Sequence, residues 1–316
     1  MGDFWKDRVF IVTGAGGFLG KHFVKSLLKK DPQMIITALH GRFDLTNIDN
    51  IKVLYDEAKA YGDKIIVIHL AASIGGIGIN QEKPAEFFYN NILMSTQLMH
   101  EAYTHGFEKF VQIGTTCSYP KYSPIPFKEE NLWLGYPEET NASYGIAKKA
   151  MIVQGEAYKQ QYGFNSIHLI LVNMYGPGDN FKDESSHVIP AMIKKFIHAR
   201  NNNLPQVTVW GDGSPTREFL YVEDAVDGIL LATEKYNSTD PVNLGTGKEI
   251  SIFELSKIVK ELTHYNGEIV WDTLKPNGQP RRCMDISKAR ERFGFEATSD
   301  FRDGLIKTIE EYERSL

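Results

Sequence analysis

The sequence predicts an α/β fold, a doubly wound parallel sheet followed by a smaller second α/β domain. Three observations carry this. Val- and Ile-rich runs alternate with helix-period segments through the first half. A glycine turn, GAGGFLG (14–20), joins the first run to the first helix, and after Pro177 the texture changes to Gly, Pro, Asp and Asn.

In chain order, RVFIVTG (8–14) is the first strand, its apolar residues consecutive because a parallel strand is buried on both faces. A helix begins near Phe18. MIITAL (34–39) is the next strand, a helix follows near 47–62, and KIIVIHL (64–70) is the third strand. A long helix near 85–106 leads to FEKFVQIG (107–114), and a further helix (143–162) to the strand SIHLILVNMYG (166–176). Beyond it, YGPGDNF and NNNLPQ read as loops and VTVWG (207–211) as a short strand. The expected division is a first domain over 1–176 and a second over 177–316, with a stretch near 218–245 packing back on the first.

A chain of 316 residues, 42% of them hydrophobic, can bury a sizeable core. Its net charge of -5 supplies no basic stripe, which argues against nucleic acid or an anionic membrane as partner. The N-terminus MGDFWKDRVF has charges where a signal peptide needs its apolar centre, and no apolar run approaches a membrane span. Cys117 and Cys283, the only cysteines, form neither a disulfide framework nor a spaced metal set, so no metal is expected and the cytosol is the default location.

Gly14, Gly17 and Gly20, with Ala15, Gly16, Phe18 and Leu19 between them, have the spacing of a dinucleotide turn. The glycines permit the tight turn, the approach of backbone to a pyrophosphate and the helix–strand contact, while the phosphates rest on the helix N-terminus. An acid at the end of the second strand binds the ribose hydroxyls of NAD, and a base there favours the 2′-phosphate of NADP. Ile35 to Gly41 contain no acid, and Arg42 follows. The pattern favours NADP, with Arg42 or His40 as phosphate partner, and leaves room for NAD; Arg42 as a solvated loop charge is the alternative.

In NASYGIAKKA, Tyr144 and Lys148 stand four apart at a helix start, so both side chains lie on one face. A phenol ordinarily titrates at about 10, and a neighbouring ammonium favours phenolate by direct attraction. Thr115, at the end of the preceding strand, adds a hydroxyl. The three resemble the Ser/Thr–Tyr–Lys set of short-chain dehydrogenase-like enzymes.

A ketone reduction needs no thiol, yet Cys117 follows Thr115 by two residues, at the strand end where ligands of such sheets bind. Small buried filler is the competing account. His187 lies in a polar loop before a helix, and imidazole, titrating ordinarily at about 6.5, exchanges protons at neutral pH. Both groups suit inversion at carbons flanking a ketone: one takes a proton from one face to leave an enolate, and the other delivers a proton to the opposite face.

HLAASIGGIGINQEKPAEFFYNN, GTTCSYP, TNASYGIAKKA, NMYGPGDNF, SHVIPAMIKKF, VWGDGSPTREFLYVEDA, NLGTG and KPNGQPRR together resemble the GDP-L-fucose synthases. These are GDP-4-keto-6-deoxy-D-mannose 3,5-epimerase/4-reductases of the extended short-chain dehydrogenase/reductase superfamily. The resemblance implies a Rossmann cofactor domain, NADP, a GDP-linked 4-keto-6-deoxy sugar and a homodimer built on helices 85–106 and 143–162. It implies Thr115, Tyr144 and Lys148 as the reductase set, with threonine where serine is usual, and Cys117 and His187 as the epimerisation pair. Leu70, Ala71, Ala72, Ile113, Gly114, Leu171, Asn173, Met174 and His187 would line the cofactor. Asn173, Cys117, His187, Val188, Lys195, Trp210, Arg217 and Arg282 would contact the GDP-sugar, Lys195 at a position usually arginine. An indole packs against a ligand ring, and Arg217 can bind phosphate through two parallel hydrogen bonds, a fork that Lys195 lacks. Ala15 and Gly16 replace a His-Arg pair common in bacterial members, and Ser73 stands where lysine is usual.

The expected activity is inversion at C3 and C5 followed by NADPH-dependent reduction at C4. The alternatives are a 4-ketoreductase or epimerase acting on another GDP-4-keto sugar, a GDP-mannose 3,5-epimerase that regenerates its cofactor, and a nucleotide-binding scaffold without turnover.

Overall fold

A computed structural model of the chain describes residues 4–75, 77–182, 186–275, 277 and 279–316. Met1 to Asp3, Gly76, Asp183 to Ser185, Pro276 and Gly278, parts of the motifs quoted above, lie outside the described residues. In chain order the elements are β1 (Val9–Thr13), α1 (Phe18–Leu28), β2 (Met34–Ala38), α2 (Ile48–Lys59), β3 (Ile65–His69), α3 (Ile77–Glu82), α4 (Pro84–Thr104), β4 (Lys109–Thr115) and α5 (Ala142–Tyr162). There follow β5 (Ser166–Leu171), β6 (Asn173–Tyr175), α6 (Val188–Asn201), β7 (Gln206–Trp210), β8 (Thr216–Tyr221), α7 (Val222–Lys235), β9 (Val242–Leu244), β10 (Glu249–Ser251), α8 (Ile252–Leu262), β11 (Glu268–Asp272), α9 (Ser287–Phe293) and α10 (Phe301–Arg314).

The central sheet has the order β2-β1-β3-β4-β5-β9 and every pairing in it is parallel. Its inner strands β1, β3 and β5 are buried end to end, as their apolar runs require, and β4 is buried up to Ile113. One apolar cluster, including Phe23, Val111, Leu169, Ile229 and Phe293, fills one side of the sheet. A second, including Tyr55, Leu98, Met99 and Phe110, fills the other. Because β1 pairs with β2 on one side and β3 on the other, the strand order reverses between β1 and β3. The crevice at their carboxyl ends is where open α/β sheets bind ligands.

The run 166–176 is two strands, not one. β5 stays in the central sheet, whereas β6 pairs with β8 in a three-stranded sheet ordered β10-β8-β6. Only Val172 lies between them, its amide donating to the Leu244 carbonyl at 3.3 Å. A two-stranded parallel pair, β11-β7, completes the second region. Its core gathers Tyr175, Phe196, Phe219, Leu255 and Leu305 between α6, α8 and α10. The chain returns to the first region through β9 and through Val226 and Ile229 of α7, and again through Ala289, Phe293 and Phe295.

Candidate active site

The glycine turn meets the strand-order reversal directly. Gly14 has φ of +69°, in the left-handed region, and a Cβ there would lie 2.7 Å from the Ala71 amide nitrogen that follows β3. A Cβ on Gly20 would fall 2.1 Å from the Gly14 carbonyl oxygen. Gly17 caps α1 with no side-chain hydrogen bond and the first turn carries no acid, so the first amides of the helix are left to donate. These features fit a dinucleotide pyrophosphate.

The turn opens on a cavity of about 1690 Å³. Gly14, Gly16 to Gly20, His40, Leu70 to Ala72, Ile113, Gly114, Leu171, Asn173 and Met174 line it. Ala15 is buried and outside that lining. Arg42, expected as a phosphate partner, is also outside it: its guanidinium pairs with Glu57 at 2.6 Å and lies over the Phe43 ring. His40 is the basic residue of that loop which faces the cavity. Ser73 lines the same wall, held by reciprocal hydrogen bonds with Asn91 of α4 at 3.0 and 2.8 Å.

Thr115 ends β4 and turns the chain into a short 3-10 turn, its Oγ1 accepting from the Cys117 amide at 3.2 Å. That leaves the hydroxyl hydrogen free to donate. The turn places Cys117 on the cavity wall, part-exposed, so the filler account does not describe it. Helix α5 brings Tyr144 and Lys148, both buried, to the same wall. Their titration departs from the expectation. Burial, reinforced by Cys117, raises the Tyr144 phenol above its ordinary range, so it keeps its proton at neutral pH. Burial also lowers the Lys148 amine to about 8.

His187, the residue before α6, is exposed and lines the cavity, and the protein around it lowers its pKa. Val188, Lys195, Trp210, Arg217 and Arg282 complete that end. Trp210 is 56% exposed at the mouth, with the amines of Lys195 and Lys275 at 5.8 and 5.3 Å from its ring. Burial and the neighbouring Arg282 push the Arg217 guanidinium down to about 10, against the opposing pull of Cys117 and Glu138.

Three cavity groups had no sequence signal. Glu138 is buried before α5, accepting from the Thr140 hydroxyl and from Asn141 Nδ2 at 3.2 Å. Asp179, within the loop YGPGDNF, accepts from the Asn180 amide at 2.7 Å while its Oδ2 has no partner among the described residues, and burial raises its carboxyl to about 7. Gln279 is buried beside Arg282. Polar residues in a loop carry no periodicity that separates wall from surface, so only the fold reveals them.

A family model described as NAD dependent epimerase/dehydratase family matches residues 10–245. The chain is 37% identical over 311 residues to GDP-L-fucose synthase 1 of Arabidopsis thaliana, covering 98% of this chain and 95% of that one. Among solved structures, a GDP-6-OMe-4-keto-L-xylo-heptose reductase from C. jejuni superposes with a TM-score of 0.90 at 26% identity, over 98% of this chain and 99% of that one. A GDP-L-fucose synthetase from Naegleria fowleri bound to NADP gives 0.85 at 27% identity, over 98% and 95%.

Proposed function

Because the chain belongs to the NAD dependent epimerase/dehydratase family and, within it, to the GDP-L-fucose synthase group, we propose that it inverts C3 and C5 of GDP-4-keto-6-deoxy-D-mannose and reduces C4. NADPH supplies the hydride. One observation carries the reading: Thr115, Cys117, Tyr144, Lys148 and His187 converge on one cavity that begins at the glycine turn. A reductase needs the first, third and fourth of these; the thiol and imidazole are surplus unless carbon-bound protons also move.

Cys117 and His187 exchange protons with the carbons on either side of the ketone, the carbanion being held as an enolate. Thr115 donates a hydrogen bond to the ketone oxygen. Tyr144, which keeps its proton, then delivers it to the C4 oxygen. Lys148 supplies positive charge beside the phenol and holds the nicotinamide ribose. The Gly17 end of α1 holds the pyrophosphate, His40 faces the 2′-phosphate, and Arg217 with Lys195 holds the GDP diphosphate next to Trp210.

Turnover in heavy water tests this. Deuterium at both C3 and C5 of the product, with one NADPH consumed per sugar, is the expected result. Reduction without deuterium at either carbon would make the protein a 4-ketoreductase, the reading that the C. jejuni structure favours. The proposal extends to a homodimer in the cytosol. Helices α4 and α5 pack side by side and leave Tyr89, Val153 and Tyr162 exposed, a face that a second copy would cover. Sedimentation at twice the monomer mass is expected.

A further inference from the structure

We propose that Arg282 positions the Cys117 sulfur and holds the negative charge that the sulfur carries during inversion, a role that rests on the epimerase reading above. Nη1 of Arg282 donates to Cys117 Sγ at 3.6 Å, across 165 residues of sequence. Nε of the same guanidinium donates to Gln279 Oε1 at 2.7 Å, and Gln279 Nε2 donates in turn to the Lys121 carbonyl at 3.1 Å. Both side chains are buried, so the guanidinium is gripped from behind. The backbone just after it is pinned as well: the Cys283 carbonyl accepts from the Phe127 amide at 2.7 Å, and the Met284 amide donates to Glu218 Oε2 at 2.7 Å.

The sulfur needs such a partner in either direction of the step. When Cys117 takes a proton it starts as thiolate: the C–H bond breaks, its electron pair passes into the enolate, and an S–H bond forms. When Cys117 gives a proton, the S–H bond breaks, the enolate pair forms the new C–H bond, and the sulfur is left as thiolate. His187 handles the opposite proton, solvent restores both groups, and nothing is oxidised or reduced. An adjacent guanidinium stabilises thiolate in both cases. Among the described residues, Arg282, Arg217 and Tyr144 interact with the sulfur, and Glu138 interacts with Arg217. The Glu138 carboxylate, held by Thr140 and Asn141, acts on Arg217, and Arg282 is the guanidinium that bonds the sulfur directly.

Iodoacetamide labelling of the full-length protein at neutral pH tests the pairing, because the thiolate is the species alkylated. Cys283 is buried, and a Cys117→Ser variant sets its background. In Arg282→Gln, labelling should slow by about tenfold, and Arg282→Lys should recover most of the rate. Gln279→Leu, which releases the guanidinium without removing it, should give an intermediate rate. A natively folded Arg282→Gln variant that labels at the wild-type rate overturns the proposal. If that variant does not fold, Gln279→Leu decides in the same two directions. Deuterium entry into the sugar of the unaltered protein is scored separately. Unchanged labelling with deuterium entry sinks this inference alone, and slowed labelling without deuterium entry sinks the epimerase reading, and with it the role in inversion, while the Arg282–Cys117 pairing stands.

Discussion

Gly145 lies so close beneath Cys117 that a Cβ on it would come within 2.2 Å of the Cys117 carbonyl oxygen. The helix that carries Tyr144 and Lys148 is thereby pressed onto the turn that carries Thr115 and the thiol. Ser118 Oγ adds a hydrogen bond to the Gly145 carbonyl at 3.0 Å. Thr115, Cys117, Tyr144 and Lys148 thus sit about one closely packed junction.

Gly145→Ala therefore forces the two elements apart, since the atom in the way is backbone and cannot rotate aside. Overpacking of this kind costs about 1–3 kcal/mol, to be read from urea unfolding. Misplacing the phenol by about 1 Å costs on the order of 10²-fold in turnover. A variant with wild-type stability and turnover would contradict the junction.

Tyr144→Phe removes the proton destined for the C4 oxygen and leaves the thiol and imidazole in place. NADPH oxidation should fall by about 10²–10⁴-fold, while deuterium still enters at C3 and C5. Loss of both in equal measure would mean that the phenol also takes part in inversion.

Lys148 sets a pH limit. Its amine titrates at about 8, and the ammonium supports the phenol, so reductase kcat/KM should decline as pH rises through about 8. Stability should move the other way. Between about 8 and the ordinary lysine value of 10.5 the unfolded chain holds the proton and the folded one does not, so stability climbs with pH across that window. Lys148→Met should flatten both limbs, and an unaltered protein with constant kcat/KM across the same window would refute the assignment.

The cofactor loop separates two basic residues that the sequence leaves equivalent. His40→Ala should reduce the preference for NADPH over NADH by about tenfold, the value of a hydrogen bond to a charged group. Arg42→Ala should leave that ratio within about twofold, because Arg42 lies outside the cavity lining. The reverse outcome would mean that the loop rearranges when the nucleotide binds.

The sheet was legible because strands buried on both faces leave unbroken apolar runs, and β1, β3 and β4 fall within a residue or two of their predicted places. The same signal misleads at 166–176, where apolar character continues through Val172 although the chain changes sheets there. Tyr144 and Lys148 were legible as a pair, since helical spacing is local. The direction of the Tyr144 shift was not, because it depends on how much protein surrounds the phenol. Arg282 and Cys117 meet only through tertiary structure, and no periodicity in either segment announces it.

The passage through Val172 fixes a length. Leu171 belongs to the six-stranded sheet whose first strand runs into the glycine turn, and Asn173 to the three-stranded sheet that carries Arg217, with one residue between them. Fully extended chain spans at most about 3.6 Å per residue, so these two contacts are tied by covalent bonds rather than by docking. Under the proposed function, a bulkier hexose would be accommodated by the loops beyond Tyr175, since lengthening this tether would move the two ends of the cavity apart.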